Sequence, residues 1–215
     1  MIRRSYPPGP LDRDVNKEQR GVIVRLFFAI NVILTGLTSL IAAGASADQT
    51  EVIDRLKFGG HILMIRHALA PGSGDPLNFK ISDCSTQRNL DESGRTQARS
   101  IGMWLRTNGI KSAWIYSSQW CRCLETARLI DLGPVQELAA LNSFYEKIEG
   151  REPNLQALNQ FISQQPVDGK LIILVTHFVT IAAIAGTDVS SGEGVLLELQ
   201  KNMSYTVVGR INFGQ

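Results

Sequence analysis

The sequence predicts an α/β protein: a single three-layer α/β/α domain over residues 48–215, built on a mainly parallel central sheet. Three observations carry that expectation. Ile62–Ile65, Ala113–Tyr116 and Leu171–Val175 are short apolar runs, as strands buried on both faces are. The stretches between them carry apolar residues at helical spacing. Strand and helix therefore alternate along the chain, which places parallel strands in one sheet with helices on both sides.

Residues 1–47 stand apart from that domain. Leu26 to Gly44 holds no charge, Arg25 precedes it and Ala45-Ser46-Ala47 follows. A basic flank, an apolar run and an Ala-x-Ala ending are the parts of a secretory signal peptide, with cleavage expected after Ala47 and a periplasmic or secreted product. The competing reading is a retained membrane anchor, because a run of roughly 18 apolar residues can span a bilayer. Polar, proline-bearing residues 1–19 fit either a long n-region or an over-extended start.

The leader holds six of the 22 Lys/Arg and three of the 20 Asp/Glu, so the mature chain has 16 basic against 17 acidic residues. No basic stripe remains to attract nucleic acid. Any anion site must be local, and membrane contact is expected only through an uncleaved leader. Composition is otherwise that of a globular protein, 44% hydrophobic and 20% charged.

Taken in order, Gln49 to Lys57 reads as a short amphipathic helix, and Gly59-Gly60 turns the chain into the first strand. Ala70 to Pro76 is dense in turn residues and forms a loop over the strand end. Glu92–Asn108 is a helix with Ala98, Ile101, Gly102 and Leu105 on one face and Gly109 as its C-cap. Ala113–Tyr116 is the second strand and Gln119 to Ile130 the next helix, stopped by Gly133-Pro134. Val135–Leu138 reads as a further strand, and residues 139–153 as an insertion over the cleft. Asn154–Gln164 is helical. Leu171–Val175 is a strand and Phe178–Ala185 an apolar helix. Val195–Leu199 and Tyr205–Phe213 close the sheet as an antiparallel pair.

Three strand ends then coincide in type. The first delivers Arg66-His67, the second Ser117-Ser118 with Arg122 one helical turn on, and the third Thr176-His177. Parallel strands place these ends on one edge of the sheet, where open α/β folds bind ligands. His61, at the opposite end of the first strand, reads as a solvent-facing or capping residue. Two imidazoles and two arginines, with no carboxylate in the strand ends, make a cationic pocket suited to phosphate, which arginine holds by paired charge-assisted bonds. The bland reading of Arg66 and His67 alone is a solvated strand cap.

Cys84, Cys121 and Cys123 give an odd count, which in an oxidising compartment means one pair plus a free thiol or no pair at all. A disulfide of Cys84 with Cys121 or with Cys123 is the expectation. Metal at Cys121-x-Cys123 is disfavoured, since alternate residues point apart on a strand and lie about 200° apart on a helix.

Arg66-His67-Ala68 resembles the Arg-His-Gly signature of the histidine phosphatase superfamily, the phosphoglycerate-mutase-like proteins. Ser117-Ser118 with Arg122-x-x-x-Thr126-Ala127 resembles its second signature, and Val175-Thr176-His177 its third. The likeness runs from about Gly60 to Ala185. It implies a phosphoglycerate-mutase-like fold and a phosphatase of histidine acid phosphatase type, a hydrolase of phosphoric monoesters. His67 would attack phosphorus and carry the phosphoryl group, with Arg66, Arg122 and His177 holding its oxygens and water releasing phosphate. No metal and no organic cofactor would be needed. Asp75 and Arg88 are expected as substrate contacts. Ala68 and Phe178 replace signature glycines. The general acid that relatives often carry has no clear counterpart: Leu141 or Asn142 aligns nearest, leaving Glu137, Glu146 and Asp75 as candidates. An exported protein implies a phosphorylated small molecule or envelope glycan as substrate, with sugar phosphates foremost. The alternative is a weakly active or inactive phosphate- or phosphoglycan-binding relative.

Overall fold

The computed structural model describes residues 50–214. The leader and its expected cleavage point lie outside the described residues. Within them, no helix is long and apolar enough to cross a membrane.

Six strands form one sheet: β1 (His61–Arg66), β2 (Trp114–Ser117), β3 (Val135–Glu137), β4 (Ile172–Thr176), β5 (Gly194–Leu199) and β6 (Tyr205–Ile211). Their order is β3-β2-β4-β1-β5-β6. β1, β4, β2 and β3 are parallel, while β5 and β6 add an antiparallel pair to the free side of β1. The expected mainly parallel sheet with a closing antiparallel pair is what forms. Helices are α1 (residues 50–55), α2 (Glu92–Thr107), α3 (Cys121–Ile130), α4 (Arg151–Ser163) and α5 (Phe178–Ala185).

The unbroken apolar runs follow from burial on both faces. Alternate residues of β1 and β4 serve opposite cores. Leu63, Ile65, Ile173 and Val175 pack with α2 and α3 through Ile101, Leu105, Ala127 and Ile130. Ile62, Met64, Ile172 and Leu174 pack with α4 and α5 through Leu158, Ile162, Ile181 and Ile184. Two helical layers thus sandwich the sheet.

Parallel pairing also levels the strand ends. Arg66 stands opposite Thr176, and Ser117 opposite Val175. The ladder continues one residue further on each side, His67 N donating to Thr176 O at 2.9 Å and Ser118 N to Val175 O at 2.9 Å.

Two local readings need correcting. α4 begins at Arg151, because Pro153 falls in the first turn, where its missing N–H costs no helical bond. His61 is buried rather than solvent-facing: its ring caps the preceding turn, with Nδ1 2.9 Å from Gly59 O. Residues 139–150 hold two short 3-10 turns, Ala139–Leu141 and Ile148–Gly150, with a loop between them.

Candidate active site

The C-terminal ends of β1, β4 and β2, three neighbouring strands, surround a cavity of about 440 Å³. His67, buried to 2% exposure, lies at its floor. Its Nδ1 is 2.8 Å from Ala68 O. A carbonyl can only accept, so Nδ1 carries the ring proton and the lone pair sits on Nε2. Arg122 Nε donates to that atom at 3.3 Å. Burial, then the Arg122 charge, pushes the imidazole down to about 3, with Arg66 and Arg88 adding to the effect. His67 is therefore a neutral base with its free electron pair turned into a cationic pocket.

Thr126 fixes this end of β1 to α3. Its hydroxyl accepts from Ala68 N at 3.0 Å and donates to Arg122 O at 2.7 Å. His177, the residue before α5, is also buried, and its ring centroid is 5.6 Å from that of His67. Ser118 Oγ lies 2.9 Å from His177 Nε2 and 3.2 Å from Asn142 Oδ1, which also accepts from Gln119 N. The His177 pKa falls well below its ordinary value because of burial, then the His67, Arg122, Arg88 and Arg66 charges.

The arginines differ in what binds them. Arg66 donates Nη1 to Val189 O at 3.0 Å and lies 5.2 Å over the Phe178 ring, while its buried Nε has no partner. Arg122 is paired with Asp75: Nη1 reaches both carboxylate oxygens at 2.9 and 3.0 Å and Nη2 one of them at 3.0 Å. Arg88 braces the loop over the strand end, donating to Gly74 O at 2.8 Å and to Ala70 O. Two of its donors thus serve the protein rather than a ligand, although it lines the cavity.

The strand ends bring no carboxylate to the pocket, and Asp75 supplies one from outside them. It enters from the loop and also accepts from Arg88 N at 3.0 Å and Trp120 Nε1 at 2.9 Å. Burial alone would raise its pKa, but the Arg122 hydrogen bonds and the two further N–H donors hold it below the usual value. An acid kept ionised is a poor proton donor, so Asp75 falls as the general acid. Glu137 falls too: it is exposed, bonds Gln119 Nε2 at 3.3 Å and does not line the cavity. Glu146 does line it, exposed at the mouth, with Oε1 accepting from Asp75 N at 2.6 Å. Asn142 is spent on Ser118 and Gln119 and has no acidic proton.

Residues 62–161 match the histidine phosphatase superfamily (branch 1). No curated protein sequence matches the chain. Among solved structures, a SixA from Nakamurella multipartitia is 16% identical with a TM-score of 0.52, covering 71% of this chain and 95% of that one. A phosphoserine phosphatase variant from Entamoeba histolytica, in complex with phosphoserine, is 16% identical at a TM-score of 0.52, covering 72% and 98%. A SixA from Agrobacterium tumefaciens is 16% identical at 0.50, covering 72% and 99%. At that identity the likeness is one of fold.

The four residues singled out from three strand ends do converge: Arg66, His67, Arg122 and His177 all line one cavity. Cys84 pairs with Cys121, Cα atoms 5.7 Å apart, joining the turn before Arg88 to the start of α3. Cys123 points the other way, fully buried, with Sγ 3.5 Å from His177 Nε2. Sequence reasoning passed over the positioning parts. Ser118 was visible as a polar residue ending a strand, but Asn142 reaches the site from a segment with no pattern of its own, and Trp120, at the start of α3, carries no signal of its bond to Asp75. Among the described residues no group of His, Cys, Asp and Glu is arranged to hold a metal ion.

Proposed function

We propose that the protein is an exported phosphomonoesterase working through a phosphohistidine on His67. The observation that carries this is the tautomer and charge of that ring: Nδ1–H tied to Ala68 O, Nε2 unprotonated beside Arg122. Nε2 attacks phosphorus, the P–O bond to the leaving group breaks, and the leaving oxygen departs with its electron pair. Arg66, Arg122 and His177 surround the oxygens on which charge builds. Water then attacks phosphorus, the P–N bond breaks and orthophosphate leaves.

Efficient protonation of an alkoxide calls for an acid whose pKa is raised by desolvation. Of the carboxylates lining the cavity, Asp75 is ion-paired and Glu146 is exposed. The site therefore favours substrates whose leaving group departs unaided, such as acyl or aryl phosphates. Envelope sugar phosphates and phosphorylated glycans, which the leader would bring within reach, are expected to turn over slowly. Asp75 on the Arg122 fork also lends support to the second reading, a phosphate-binding relative of low activity.

Hydrolysis of para-nitrophenyl phosphate in EDTA, beside the His67→Ala variant, tests the proposal. Turnover that disappears in the variant supports it. Equal rates in both reject His67 as the nucleophile, and phosphate binding without turnover in either selects the binding role. Export is tested by sequencing the mature N-terminus, expected at Asp48.

A further inference from the structure

Four aromatic side chains from four separate segments line the same cavity above the histidine floor: Phe79, Trp120, Tyr145 and Phe178. Phe79 and Trp120 stack with centroids 5.1 Å apart at 20°, and Trp120 meets His177 edge-on at 5.3 Å. Tyr145 and Phe178 form a second pair at 5.5 Å. Trp120 is held in place by its N–H bond to Asp75, and Phe178 by the Arg66 guanidinium. Tyr145 is different. It is 59% exposed. None of the buried clusters includes it. An exposed ring that, among the described residues, meets only the Phe178 ring, on the lining of a cation-floored cavity, is poorly explained by core packing and well explained by a planar ligand.

We propose that the phosphoryl group this site takes is carried on an aromatic ring, as a phenolic phosphate monoester whose ring lodges among Phe79, Trp120, Tyr145 and Phe178. The inference rests on the reading of this cavity as a phosphomonoester site. Ring and chemistry agree: a phenolate departs without an acid, and the one buried carboxylate lining the cavity, Asp75, is held ionised on Arg122. In the step itself, His67 Nε2 bonds to phosphorus while the P–O(aryl) bond breaks and its electrons leave on the phenolate. Water then attacks phosphorus and the P–N bond breaks, restoring the Nε2 electron pair; of water's two protons one stays with orthophosphate and the other goes to the phenolate. A pyranose could also lie on aromatic faces, but its alkoxide would need the missing acid.

The test uses non-hydrolysable probes, so that binding of the ring is read apart from turnover. Calorimetry compares phenylphosphonate with methylphosphonate on the full-length protein and on Tyr145→Leu and Tyr145→Phe. The expected result is phenylphosphonate binding about three- to tenfold tighter than methylphosphonate, as an aromatic contact of ordinary strength gives. Tyr145→Leu should lose that preference and Tyr145→Phe keep it; so exposed a residue is replaced without disturbing the fold. Equal affinity for the two phosphonates overturns the inference even if para-nitrophenyl phosphate is hydrolysed. So does a non-hydrolysable hexose phosphonate that binds more tightly than phenylphosphonate does. Ring preference without hydrolysis of any phosphate ester leaves this inference standing and rejects the phosphatase reading instead.

Discussion

His67 and His177 are neutral because burial and three neighbouring arginines oppose their protonation, and that neutrality has a cost in acid. In the unfolded chain both rings titrate near the ordinary value of about 6.5. Where the unfolded state binds more protons, stability falls as pH falls. Stability is therefore complete above about pH 6.5 and declines as pH drops toward 3, the folded value of His67. Thermal unfolding between pH 7.5 and 4.5 should show this decline, and His67→Gln should flatten it; a flat profile in the unaltered protein contradicts the account. Asp75 gives a second prediction at this scale. Asp75→Asn leaves Arg122 short of a charged partner, with an expected loss of about 1–3 kcal/mol in stability. It also removes a carboxylate from the fork, so orthophosphate should bind more tightly. Weaker orthophosphate binding would show that Asp75 holds Arg122 ready rather than occupying it. Arg66, His67 and His177 were legible in the sequence because each stands at the end of an apolar strand run, and Arg122 because it lies a helical turn beyond another. Asp75's ion pair was not, since nothing local in Ala70–Pro76 tells where a glycine-rich loop folds.

The elements held to expectation where hydrophobic pattern and caps agreed. Asp91 caps α2 by accepting from Gly94 N at 2.8 Å, and the buried Ala98, Ile101, Gly102 and Leu105 form its face, as their spacing required. Gly102 was read only as a small residue on that face. A Cβ there would come within 2.1 Å of Ile130 O, so the glycine sets the closeness of α2 to α3. Gly102→Ala, favoured by helix propensity alone by about 1 kcal/mol, should instead destabilise by about 1–3 kcal/mol through overpacking. A raised melting temperature would refute that. The segment from 139 to 150 escaped the sequence because 3-10 turns impose no period to read, and α4 starts ahead of its apolar pattern because Pro153 is tolerated in a first turn. The Cys84–Cys121 bridge ties the turn before Arg88 to the helix bearing Arg122 across a separation of 37 residues. A loop of that size contributes up to about 4 kcal/mol by restricting the unfolded chain. Reductant should lower the melting temperature accordingly, and one thiol, Cys123, should react only after unfolding.

For the whole molecule, sheet order is what turns scattered residues into a site. β4 lies between β1 and β2, so strand ends more than 100 residues apart in sequence become neighbours, and the antiparallel β5–β6 pair leaves that edge intact. The alternation of strand and helix announced this topology, because parallel strands need crossovers and crossovers put every carboxyl end on one side. The near balance of charge over residues 48–215 likewise directs attention to one local cationic cavity rather than to a surface. What that cavity does depends on whether His67 Nε2 takes up phosphorus. The most direct measurement is to quench the protein during turnover of a radiolabelled aryl phosphate and map the label. The account predicts an acid-labile, alkali-stable phosphoramidate on His67 that is missing from His67→Ala. Label on another residue, or turnover that persists in His67→Ala, would contradict it.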